Sequence, residues 1–170
     1  VRTAWQKNQA VVSSLMGTRF RMQCWPKFSA GVNDVKATLQ IWRNIEGFNP
    51  SLIVIDQPSS MKMSGKGDFR HQVDELWKEL CAIPAELHAL GIYPSQAGGK
   101  AAQERKHLRN SDVAEHAGIL GHVDGSIKID QDDEDKLAKR AKISMGVERD
   151  DESYEEYCIV LQCLALGQPV

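Results

Sequence analysis

The 170-residue chain has no apolar run near the roughly 20 residues that span a bilayer. It also lacks the layout of a signal peptide. Neither feature points to a membrane, and a cytoplasmic setting is expected. There is no CxxC pair. The four cysteines, Cys24, Cys81, Cys158 and Cys163, are scattered, and the five histidines make no ligand spacing with them. That pattern argues against a zinc site and reads as four reduced core residues. No excess of positive charge exists either: net charge is -2, so any nucleic-acid contact must be local. Repeats and low-complexity linkers are missing. What is present is 42% hydrophobic and 26% charged residues, the make-up of one soluble globular domain.

The most informative stretch is Leu52-Ile53-Val54-Ile55-Asp56, bounded by Pro50 and Pro58. A short apolar run between turn residues reads as a strand buried on both faces, the usual state of a central parallel strand. An acid at the carboxyl end of such a strand stands where open α/β sheets bind ligands. A carboxylate there commonly holds the water shell of Mg²⁺ beside a nucleotide. The plainer alternative is a core strand whose last residue caps the next turn.

Around this strand the pattern alternates. Residues 3–15 read as a helix stopping near Gly17, and 19–24 as a half-buried strand. Asn33 is the expected cap of a helix burying Val35, Leu39, Trp42 and Ile45. Residues 57–67 read as a flexible loop. A helix from Asp68 buries Val73, Leu76, Trp77 and Leu80, and Pro84 is expected to kink or break it. Gly91 to Gln96 reads as a strand, 97–109 as a basic loop, and Ser111 as the cap of a further helix. Strands follow at 126–130, 140–147 and 157–164, the last two joined by an acidic turn that carries Arg149. The expected fold is α/β: a mostly parallel sheet flanked by helices, ending in an antiparallel meander at its edge. In one domain, residues 1–16 form an N-terminal helix, 17–130 the core and 131–170 the closing strands.

Two strands that should be central end in polar groups at the same edge, Asp56 in one and Ser95-Gln96 in the other. Asp56 suits a metal-water ligand, and Gln96 a group that senses phosphate or orients water. The following loops carry Lys62, Lys66, Lys100, Arg105, Lys106 and Arg109, which could hold a nucleic-acid backbone or simply face solvent.

In this order the segments resemble the RecA-like ATPase domain of DnaB-type replicative helicases, superfamily 4, as phages encode them. The resemblance covers most of the chain after about residue 16. It rests on Arg19 to Pro26, Gly31 to Val35, Gly47 to Pro50, Leu52 to Asp56 as Walker B, and Ser95-Gln96. Ser111 to Glu115, Gly118, Val123-Asp124, Arg149-Asp150 and Val160 to Gln168 complete it. The resemblance implies a homo-hexameric ring, with ATP between subunits and single-stranded DNA in its channel. It implies Asp56 acting on Mg²⁺ through water, Gln96 coupling phosphate state to the DNA loops, and Arg149 reaching a neighbour's ATP.

The departures concern the phosphates. No G-x-x-x-x-G-K-[ST] occurs, so the P-loop and its strand are absent from these residues. Gly98-Gly99-Lys100 follows the wrong strand, and Ala101 takes the Ser/Thr place. The family's catalytic glutamate is absent, and Val147 replaces the lysine two places before Arg149. The chain opens on Val1 and is expected to be a piece of a longer chain or an incomplete gene product. The leading expectation is the C-terminal part of an ATP-dependent DNA helicase motor that is inactive as this piece alone. The alternatives are a non-catalytic RecA-type module binding DNA or a replisome partner, and a different RecA-fold ATPase.

Overall fold

The computed structural model describes residues 19–63, 67–98, 117–148 and 157–161. The expected helix at 3–15, nearly all of the loop 97–109, the start of the helix from Ser111 and the acidic turn lie outside them. In chain order the elements are α1 (Val32–Asn44), β1 (Leu52–Val54), α2 (Phe69–Leu87) and β2 (Leu90–Ile92). Then come β3 (Gly125–Asp130), α3 (Asp133–Leu137), β4 (Arg140–Glu148) and β5 (Tyr157–Leu161). Short 3₁₀ turns stand at Pro58–Ser60 and Ala117–Gly121.

Helix α1 buries Val32, Val35 and Leu39, with Trp42 half-buried below them. Its first turn starts earlier than expected. The Asp34 carboxylate accepts the Gly31 N–H at 2.8 Å, so Gly31 and not Asn33 is the cap. Burial of Val32 explains the shift, because that side chain belongs to the apolar stripe. Ile45 falls just past the last turn and is exposed. Gly47 then turns the chain with φ 67°, a conformation that disfavours side chains.

Helix α2 is capped by Asp68, whose carboxylate accepts the His71 N–H at 2.9 Å. Val73, Leu76, Trp77 and Leu80 are buried as their spacing predicts, and Ile83 and Pro84 join them. The expected break at Pro84 does not occur. The helix runs on to Leu87 and stops at His88, which adopts the left-handed conformation. Pro84 sits in the last turn, where one lost hydrogen bond is tolerated and its ring fills core space. Full burial of a leucine such as Leu80 contributes about 1.5–3 kcal/mol.

Strands β1 and β2 pair in parallel, Leu52 with Leu90, Ile53 with Gly91 and Val54 with Ile92. Helix α2 is the crossover between them, as a parallel connection requires. The strand is not buried on both faces. Ile53 packs against α1 and α2, while Leu52, Val54, Leu90 and Ile92 are 45–62% exposed on the other side. The two helices cover one face of the pair, and no described residue closes the other.

The expected strand at 19–24 makes no ladder. Side chains hold it instead: Arg21 pairs with Glu46 at 2.6 Å and lies 5.0 Å over the Phe48 ring. The cysteines also differ from expectation. Cys24 and Cys158 are exposed and Cys81 is half-buried. Cys163 lies outside the described residues.

The closing meander is observed as a separate sheet in the order β3-β4-β5, antiparallel throughout. On β3 and β4 the two faces differ, one apolar and one polar, while β5 carries apolar residues on both, with Ile159 opposite Lys142. Ile127 pairs with Met145, Ile129 with Ile143, Ile143 with Cys158, and Ala141 with Val160, so these share one face. Asp130 pairs with Lys142 on the other. The polar face is the one covered, by α3. Asp135 of α3 has no exposed surface and meets Arg140 at 2.6 Å and Lys142 at 2.7 Å. Lys142 also reaches Asp132 at 3.1 Å. The apolar face stays open, with Ile127 66% and Ile129 64% exposed.

Candidate functional site

The parallel register decides where the polar strand ends go. Val54 faces Ile92, and the Ile55 N–H donates to the Ile92 carbonyl at 3.1 Å. Asp56 leaves β1 at the next residue. Ser95 and Gln96 leave β2 after Tyr93 and Pro94. Both strands run the same way, so the acid and the amide emerge from the same carboxyl edge of the pair. Asp56, Ser95 and Gln96 are exposed. Neither Asp56 nor Gln96 makes a side-chain hydrogen bond or ion pair among the described residues. The Asp56–Gln57 peptide bond is cis.

An exposed carboxylate at a strand end, with all its acceptor positions open, fits a ligand for metal-bound water. A neighbouring amide with a donor and an acceptor fits a group that reads phosphate or places a water.

The loop leaving Asp56 was expected to be flexible, and its described part is pinned. Pro58 and Met61 are buried. The Phe28 N–H donates to the Ser60 carbonyl and the Lys62 N–H to the Ala30 carbonyl, both at 2.8 Å. Apolar side chains at 58 and 61 give this loop anchors that its serines and glycines hide. Lys62, on this loop, is exposed to solvent. Lys66, Lys100, Arg105, Lys106, Arg109 and Arg149 lie outside the described residues. Parallel pairing puts Asp56 and Gln96 past the same carboxyl edge, with Lys62 six residues after Asp56 along the anchored loop.

Behind the rim stands a contact the sequence reading missed. Tyr93, directly after β2, donates its hydroxyl to the Leu80 carbonyl of α2 at 2.8 Å. Its ring meets the Trp77 ring edge-on at 5.8 Å. Burial, and Cys81 beside it, push the Tyr93 hydroxyl well above its ordinary pKa. The hydroxyl therefore stays protonated and keeps donating. The signal was available: a proline four residues after Leu80 leaves that carbonyl without its helical donor. Farther along α2, Asp74 meets His122 Nε2 at 2.7 Å and ties the helix to the turn at Ala117–Gly121.

No family model and no curated protein matches the chain. Solved structures do. One solved ATPase domain superposes with a TM-score of 0.62 at 18% identity, covering 76% of this chain and 47% of that one. A DnaB-like replicative helicase, described with its interactions with primase, gives 0.64 at 18% identity, covering 78% of this chain and 32% of its own. The fold is that of a DnaB-type, RecA-like ATPase domain. The described parts of this fold are the parallel pair with its helices and the separate antiparallel sheet. The chain spans about half of the one matched protein and a third of the other. Among the described residues, no helix is long and apolar enough to cross a membrane.

Proposed function

We propose that this chain is the C-terminal part of an ATP-dependent DNA helicase motor of the DnaB type, acting in DNA replication. The observation that carries the reading is the shared carboxyl edge of β1 and β2, past which Asp56 and Ser95-Gln96 follow, in a fold similar to that of DnaB-like helicase ATPase domains. In the intact protein, bound Mg²⁺ and ATP would supply the phosphoryl group whose transfer drives movement. Asp56 would accept hydrogen bonds from the metal's water shell. Gln96, on the adjoining strand end, would orient toward the phosphate side and pass its position to the loops. Arg149 would act across a subunit boundary in a hexamer of like chains. Lys62, with Lys66, Lys100, Arg105, Lys106 and Arg109, would hold the backbone of single-stranded DNA by charge.

The residues fit part of that cofactor. Asp56 suits the metal side, but no stretch of the 170 residues has the pattern of a phosphate cradle. The piece alone is therefore expected not to hydrolyse ATP.

The test is Asp56→Asn in the intact protein. The amide keeps the shape and removes the charge that metal-bound waters need. Hydrolysis should fall by about 10²-fold or more, the scale of losing a preorganised electrostatic partner, with single-stranded DNA binding retained. Normal turnover in that variant would reduce Asp56 to a strand end.

A further inference from the structure

Helix α2 is fastened at both ends to the candidate site. Its cap, Asp68, closes the loop that leaves Asp56, and its last residue, Leu87, stands three residues before β2. A rigid helix between two rim segments can transmit a shift from one to the other only where it is bonded to both. Tyr93 makes such a bond. It lies three residues before Gln96, and its hydroxyl reaches across to the Leu80 carbonyl in the middle of α2's buried face.

Three features make this contact specific. Pro84 has no N–H, so the carbonyl four residues before it is open to an outside donor. Gly91 leaves the room: a Cβ there would stand 2.8 Å from the Tyr93 hydroxyl and 2.9 Å from the Pro84 ring. Trp77 backs the tyrosine ring from the preceding turn of the helix. Proline, glycine, tryptophan and tyrosine thus form one joint, and each does something its neighbours need.

We propose that Tyr93 is a positioning residue for Gln96. Its hydroxyl latches the segment Tyr93 to Gln96 to a single carbonyl of α2, so that the amide at the rim and the start of the lysine-bearing loop's helix move as one body. This rests on the motor reading of the rim. A purely structural tyrosine would have the same hydrogen bond, but its loss would lower stability without touching Gln96.

The experiment measures single-stranded-DNA-stimulated ATP hydrolysis by the intact protein, well below its melting temperature. Four forms are compared: wild type, Tyr93→Phe, Gln96→Ala and the double variant. Tyr93→Phe should lower kcat about tenfold, the scale of one well-placed hydrogen bond, with KM for ATP within about twofold. In the Gln96→Ala background the same change should cost almost nothing, because the latch then has nothing to position. If Tyr93→Phe folds poorly, Pro84→Ala is the second route. It returns an N–H to the helix, satisfies the Leu80 carbonyl internally, and should release the tyrosine with the same fall in kcat. A full, independent effect of Tyr93→Phe in the Gln96→Ala background overturns the latch, as does an unchanged kcat in both Tyr93→Phe and Pro84→Ala while wild type turns over. Absence of hydrolysis in wild type overturns the motor reading itself, and the latch with it.

Discussion

The two sheets of this domain are built on opposite principles. Around β1 and β2 the interior is hydrocarbon: Val73, Leu80 and Ile83 are almost completely buried, and the polar groups lie at the rim. Between β3-β4-β5 and α3 the covered face holds Asp130, Asp135 and Lys142, and Ile127 and Ile129 look outward. The parallel unit is stabilised by area removed from water, which is non-directional and nearly independent of pH. The antiparallel unit depends on paired charges whose partners must all be present. The candidate rim lies on the first. The second, with its open apolar face, is the part whose integrity should respond to solution conditions.

The comparison can be broken most severely at Leu80. Leu80→Ala should cost about 2–5 kcal/mol, because the side chain is fully buried between α2 and the sheet. Chemical denaturation checks it. A loss under about 0.5 kcal/mol, the range of surface changes, would mean that the helical layer is not the core.

A smaller effect is expected at Asp135. Hydrogen bonds from Lys142, then Arg140, hold its carboxyl well below the usual carboxylate range. A group with a lowered folded pKa adds stability above its unfolded value, about 3.9, and loses it as pH falls through the folded one. Protection of β4 amides against hydrogen exchange should therefore drop below about pH 4, before that of α2. Lys142, raised by the same partners, sets the opposite limit, so its contribution fades only above about pH 10.4. Asp135→Asn should weaken the sheet at neutral pH and flatten the acid dependence. If β4 and α2 lose protection together in acid, the charge pairs do not distinguish the sheets.

The smallest effect belongs to the open face. Ile127→Thr should change stability by no more than about 0.5 kcal/mol, since the side chain is largely in water already. A loss of several times that would show the face to be covered in solution.

The sequence was most legible where periodicity and burial agree. Val73, Leu76, Trp77 and Leu80 declared α2, and the apolar run at 52–55 declared β1. The same run misled on burial, because an unbroken apolar strand is expected to have two covered faces, and α1 and α2 supply one. Strand 19–24 alternated correctly yet found no ladder partner, since alternation reports a half-buried segment and not a hydrogen-bonded one. Pro84 was read as a kink or break because the propensity argument does not know that its ring packs in the core or that Tyr93 takes up the freed carbonyl. The ionic cluster was not singled out in the sequence, although Asp132 and Asp135 at capping-box spacing offered a clue. At the site, Asp56 was legible as the acid just past a strand, whereas the strand read over 91–96 stops at Ile92, four residues before Gln96. Their common edge was expected from the strand–helix–strand order, and what no local pattern contains is the register itself, Val54 opposite Ile92.

That register is open to direct measurement. In a chain with Cys24, Cys81, Cys158 and Cys163 changed to serine, Val54→Cys is combined with Ile92→Cys or with Leu90→Cys, and each pair is oxidised. All three positions are solvent-accessible on the open face. Directly paired residues bring their Cα atoms within the roughly 4.4–6.8 Å that a disulfide allows, and a two-residue offset does not. The account predicts a cross-link between 54 and 92 and little between 54 and 90. The reverse result would slide the two strands by two residues, roughly 6.6 Å, carry Gln96 farther past Asp56 and contradict the register on which the shared rim rests.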